Sequence, residues 1–184
     1  MVNAARWIRL GPIGASEMHA ACEGLAKAQA AHAAPIVLWA RTSAPMLGDL
    51  IRVEETHFAF VLIVPFRLAP GRTARWRAWG LAPALATYRH FGLRAYLDDG
   101  AVCLHGQRIG ESRATAIGGC AVVASSFLPQ LVEKRAGCAE RNLVAVFRSR
   151  LEAQHGWQFD DSWPSAGEKA AIADAFAVEG ADAA

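Results

Sequence analysis

The candidate site residues of this 184-residue sequence lie in its second half. Cys138 stands in Arg135-Ala-Gly-Cys-Ala-Glu-Arg-Asn142, just before a segment with helical periodicity. A helix N-terminus and the nearby Lys134, Arg135 and Arg141 favour the thiolate, the nucleophilic form of cysteine. The same position also suits an ordinary cysteine in a helix-capping region. Arg108 follows a His105-Gly106 turn on the strand Gln107-Arg108-Ile109. A guanidinium there can stabilise developing negative charge but cannot act as a base. It can equally be a solvent-facing strand residue paired with Glu111. His105, in the turn, can donate to a carbonyl. Gly118-Gly119 lets the backbone turn tightly and, with His105, marks the candidate cofactor-contacting positions. No Gly-Lys-Ser/Thr follows the pair, so an ATP-cradling loop is not assigned to it.

Around these residues the pattern predicts a compact meander. Leu93–Leu97 and Ala101–His105 read as strands joined by Asp98-Asp99-Gly100, whose Asp-Gly step favours a tight hairpin. Gln107–Ile109, a small-residue bend and Gly119–Ala124 follow. Upstream, Trp7–Leu10 reads as a strand, Ser16 as the N-cap of a helix to about Ala31, Ile36–Trp39 as a strand and Leu50–Val53 as a short edge strand. Phe58–Val64 is the strongest strand, ended by Pro65. A helix over Thr73–Phe91 is kinked or restarted at Pro83 and ends at Gly92. Glu140–Gln154 carries Leu143, Val146, Phe147 and Leu151 on one stripe. A last helix spans Glu168–Val178, before a frayed tail over 179–184. Strands mixed with segregated helices argue for one α+β domain over residues 1–178, with a mixed or antiparallel sheet flanked by helices.

Composition narrows the function classes. Apolar residues at 53% and charged residues at 20% fit a folded globular domain and exclude a disordered chain. The longest apolar run, Phe58–Phe66, is too short to cross a bilayer and the N-terminus lacks a signal-like apolar core, so a cytoplasmic location and no membrane partner are expected. Cysteines at 22, 103, 120 and 138 lack Cys-x-x-Cys spacing, and the six histidines form no His-x-x-x-His pair, so no metal site is expected. Net charge of +2 does not suggest nucleic acid. Locally, six arginines at 67, 72, 75, 77, 89 and 94 have no acidic residue among them. That stretch is either the solvated face of an amphipathic helix or a docking surface for an acidic partner.

The strand-turn-strand Leu104–Arg113 followed by Gly118–Phe127 resembles the central motif of the lipoate/biotin protein ligase superfamily. Trp7-Ile-Arg-Leu10, Pro35-Ile-Val-Leu-Trp39, Ala44-Pro-Met-Leu-Gly48 and His57–Pro65 recur in that family in the same order. Residues 5–160 are covered. The resemblance implies the ligase catalytic-domain fold, handling of lipoate or octanoate, and ATP where the acid is activated. It also implies transfer to a lysine of an acidic lipoyl or acyl carrier domain. It places Arg108 where relatives carry a lysine that touches the acyl carbonyl, and Cys138 near the acyl-accepting cysteine of octanoyltransferases. The family's Arg-Arg-x-Ser/Thr-Gly-Gly-Gly loop is replaced by Asp49–His57, without an arginine pair or triple glycine. A catalytically silent homologue that binds without turnover is therefore the alternative. The biotin-ligase branch ranks last, because its Gly-Arg-Gly-x-x-Gly-Arg and Lys-Trp-Pro-Asn-Asp motifs are absent.

Overall fold

The computed structural model describes residues 3–29, 33–42, 46–47, 52–53, 57–136 and 139–182. In chain order the elements are β1 (Asn3–Ile13), α1 (Ala15–Ala28), β2 (Ile36–Thr42), β3 (Met46–Leu47), β4 (Arg52–Val53) and β5 (Phe58–Pro65). Then come α2 (Trp76–His90), β6 (Tyr96–Asp98), β7 (Ala101–Leu104), β8 (Gln107–Ile117), β9 (Cys120–Phe127), α3 (Pro129–Ala136), α4 (Glu140–His155), β10 (Trp157–Ser162) and α5 (Ala166–Asp182). Eight strands form one sheet in the order β10-β1-β2-β5-β9-β8-β7-β6, and β3 pairs with β4 separately. β1 runs parallel to β2 and β10, and all other neighbours are antiparallel. The expected α+β architecture, a mixed sheet flanked by helices, is the one observed.

The two-residue period of the strands divides the apolar side chains between two layers. In β5, Phe58, Phe60, Leu62 and Val64 face α2 and α4, whereas Ala59, Val61 and Ile63 face α1. Burial of all eight β5 residues explains why this segment reads as a continuous apolar run. The α2/α4 layer is aromatic: Phe60 lies 4.8 Å from Phe147 and 5.4 Å from Phe127, and Trp39 stacks on Phe58 at 5.6 Å. The α1 layer is built of smaller residues, and α5 lies over α1.

Several boundaries differ from expectation. Glu17, not Ser16, closes the start of α1: its Oε2 accepts from the Gly14 N–H at 2.8 Å, and Ser16 lies inside the helix. α2 runs through Pro83 without a break, and Thr87 Oγ1 donates to the Pro83 carbonyl at 2.8 Å. β8 stays one strand of eleven residues, paired with β7 at one end and β9 at the other, and the irregularity expected after Ile109 takes the form of a register shift there: Arg108 and Gly110 pair with the consecutive residues Cys103 and Val102. Val144, not Val146, joins Leu143, Phe147 and Leu151 among the buried residues of α4. α5 continues through residues 179–182, assigned above to a tail.

α3 and β10 have no counterpart in the sequence reading. The Asp98–Gly100 hairpin is as expected, with φ of +39° at Asp99 and +82° at Gly100.

Candidate functional site

The C-terminal ends of β2 and β9, the start of β5 and the first half of β8 share one end of the sheet. Five buried polar residues gather there: Thr42, His57, Ser112, Ser125 and Ser126. Buried hydroxyls and imidazoles need partners, and each of these has one. Thr42 Oγ1 accepts from the His57 N–H at 2.8 Å and donates to the His57 carbonyl at 3.2 Å. A 2.9 Å hydrogen bond joins His57 Nδ1 to Ser126 Oγ. Ser125 Oγ donates to the Glu111 carbonyl at 2.8 Å, and Ser112 Oγ to the Gly100 carbonyl at 2.7 Å.

Pleating assigns these groups to faces. Ser126 alternates with Ala124 and Val122, which belong to the α1 layer, whereas Ser125 points to the other face. Register places Ala40 beside Ala59 and Ala59 beside Ser126. The Ser126–His57 pair therefore stands at the rim of a floor of small side chains. Ser112 pairs with Ser125, which brings Glu111 across from Ser126. At Gly110 a Cβ would lie 3.4 Å from the Ser126 carbonyl oxygen and 3.6 Å from its hydroxyl, so β8 approaches this pair closely. β4 packs beside β8.

Arg108 occupies the same end of β8. Its guanidinium donates to Glu111 Oε1 at 3.1 Å, and the two side chains are 63% and 42% exposed. Of the two readings of this residue, the solvent-facing pair with Glu111 is the one the structure displays. His105 is exposed, in the left-handed conformation with φ of +51°.

Gly118 and Gly119 do not join them. Ten residues of extended strand separate Gly118 from Arg108, roughly 33 Å at the usual rise. A Cβ at Gly118 would meet the Ala26 carbonyl oxygen at 3.1 Å. The turn thus abuts the carbonyl end of α1, whose partial negative charge repels a phosphate. Gly119 instead accepts a hydrogen bond from the Phe66 N–H at 3.0 Å.

Cys138 lies outside the described residues. Cys22, Cys103 and Cys120 are free and buried. Burial pushes the Cys120 thiol up to about 11 and raises that of Cys22 as well, so neither supplies a thiolate near neutral pH. Among the described residues no group of three or more His, Cys, Asp or Glu could hold a metal ion.

The arrangement can therefore do two things. A serine hydroxyl within hydrogen-bond reach of an imidazole can pass a proton to it, the geometry required of a nucleophile and its general base. Arg108, three residues further along β8 from the position opposite Ser126, can attract developing negative charge once Glu111 releases it. Sequence reading overlooked His57 and Ser126, because 69 residues separate them. The available signal was polarity: His57 opens an otherwise apolar strand, and Ser125-Ser126 closes another.

No protein-family model and no curated protein matches the sequence. Solved structures match over nearly the whole chain. A bipartite lipoate protein ligase from Thermoplasma acidophilum superposes with a TM-score of 0.70 at 10% identity, covering 95% of this chain and 92% of that one. Lipoate-protein ligase A bound with ATP gives 0.72 at 10% identity, covering 96% and 95%. A biotin acetyl coenzyme A carboxylase synthetase from Helicobacter pylori gives 0.57 at 15% identity, covering 96% and 81%. The fold is that of the lipoate and biotin protein ligases.

Proposed function

We propose that this protein handles a lipoyl or octanoyl group and transfers it to a lysine of an acidic carrier domain, in the cytoplasm. The observation that carries the reading is the hydrogen-bonded Ser126–His57 pair. It lies on a small-residue floor beside β8, at the end of the sheet that also holds Arg108. In this reading Ser126 and His57 orient the acyl carbonyl and move the proton. Arg108, exchanging Glu111 for substrate, faces the oxygen that gains charge. Cys138 is the candidate acyl acceptor on the enzyme, as its basic neighbourhood in sequence suggests.

Likeness to an ATP-bound ligase supports the fold but does not select between a free acid activated with ATP and an acyl group already on a carrier. Mass spectrometry after incubation with octanoyl-carrier protein, or with lipoate and ATP, separates the two. The expected result is an acyl adduct on the acceptor lysine or on Cys138 in one of the formats.

One observation favours a second reading, that of a silent binding homologue. Arg108 is already neutralised by Glu111, and the rings of Trp39, Phe58, Phe60, Phe127 and Phe147 fill the α2/α4 face of β5. Carrier binding without any adduct selects this alternative.

A further inference from the structure

Charge in this molecule is unevenly distributed. Residues 67–97 hold six arginines and no acidic residue, a local charge of +6 in a chain of net +2, so the rest sums to −4. The structure places these arginines around α2. Arg72 and Arg75 are exposed at its start, Arg77 is half-buried on its first turn, and Arg89 and Arg94 are exposed at its end. None of these five is paired with a carboxylate among the described residues; the ion pairs found there involve other side chains. Arg150 of α4 adds a further cation at the far end, 3.2 Å from His90 Nδ1.

Two concavities of about 600 Å³ follow the seam between α2 and the edge strand β6. One includes Arg77, Thr73, Leu97 and Asp99, and the other Arg89, Arg94 and Tyr96. One borders β6 at Tyr96 and the other at Leu97, at opposite ends of α2, a helix about 22 Å long, and the seam between them is the α2–β6 groove. Exposed aromatic rings flank it: Tyr96 is 41% exposed, and Phe66, 45% exposed, stacks on Trp76 at 5.6 Å. Arginine and aromatic side chains without lysine are the composition of a protein-binding patch. Asp98 and Asp99 close one end of the groove with negative charge, which confines its basic stretch to the seam between Arg77 and Arg94.

We infer that the α2–β6 groove is a docking surface for the acidic face of a folded protein domain. The carrier's identity as that domain rests on the proposed function. β6 is two strands from β8, about 10 Å across the sheet, with the groove on the α2 face and the Ser126 side chain on the α1 face.

The test titrates the full-length protein with an acidic lipoyl carrier domain, following binding by fluorescence anisotropy at rising salt. Wild type is expected to bind, with affinity falling steeply as salt rises. R77E and the R89E/R94E double variant are each expected to weaken binding by about tenfold or more, while R9E, at an exposed position of β1, leaves it unchanged. Unaltered thermal midpoints show that the variants fold. No carrier binding by wild type, equal binding by the variants, preference for a single-stranded oligonucleotide, or saturation of the groove by self-association overturns the inference. An absent acyl adduct with intact, arginine-dependent binding overturns acyl transfer and leaves the docking surface standing.

Discussion

Gly24 of α1 and Ile172 of α5 touch backbone to backbone: a Cβ built on Gly24 would lie 2.5 Å from the Ile172 nitrogen and 2.6 Å from its Cα. Only a glycine permits that approach. Gly24→Leu is expected to lever α5 off α1 and to lower unfolding stability by about 2–3 kcal/mol. Denaturant titration measures the loss, and faster proteolysis within α5 locates it. A Leu variant as stable as wild type refutes the close packing.

Arg6 of β1 clamps Glu168 of α5 with two donors, and a third hydrogen bond from Arg6 Nη2 reaches the Trp163 carbonyl at 3.0 Å. Glu168 also closes its own helix start, accepting from Ser165 N–H at 2.7 Å. The Arg6 guanidinium and Ser165 hold its carboxyl below the usual carboxylate range. The folded-state value is depressed, so the associated stability is present above the unfolded carboxyl pKa and is lost as pH falls through the folded one. Glu168→Gln should lower the thermal midpoint at pH 7 and flatten its decline at acid pH. Melting curves between pH 7 and pH 3 check both.

His155 is sandwiched between Trp79 and Trp157, with ring centroids 4.4 and 4.6 Å away, and neither ring nitrogen has a partner among the described residues. Burial lowers its pKa to about 4, so the unfolded chain binds the extra proton first as pH falls below about 6.5. Stability therefore declines from pH 6.5 toward pH 4, by at most about 2 kcal/mol at pH 5. His155→Phe removes this component. If the variant loses as much stability as wild type between pH 7 and pH 5, the histidine is not its source.

Ser126→Ala and His57→Ala test the proton-transfer pair. With an acyl donor and carrier present, each is expected to slow transfer by about 100-fold. Loss of one partner from this buried hydrogen bond costs about 1–3 kcal/mol of stability, so circular dichroism must show folded variants at the assay temperature. Transfer at the wild-type rate in both variants removes the pair from the reaction.

Elements legible in the sequence are those whose burial pattern is local. Phe58–Val64 is apolar throughout because helices cover both of its faces, and Asp99-Gly100 announces its turn because two successive residues adopt positive φ. β10 is illegible for the opposite reason. Gln158, Asp160 and Asp161 are exposed on an edge strand, and only pairing with β1, some 150 residues earlier, makes it extended. The small-residue bend expected after Ile109 is a register shift at Ile109–Gly110 inside one continuous strand, because two partner strands hold the residues on either side of it in the sheet. At the candidate site, Arg108 and Glu111 are three residues apart and their pairing is readable. The contact between His57 and Ser126 exists only once β5 and β9 align.

Assembly order follows from the way β10 and α5 close over β1 and α1. Met18, Cys22 and Leu25 find their partners on β1, β2, β5 and β9, whereas the Gly24 side of α1 and the outer edge of β1 wait for residues beyond 157 before their packing is complete. Long-range closure of this kind slows folding and leaves an apolar helix face exposed to chaperones and to other nascent chains meanwhile.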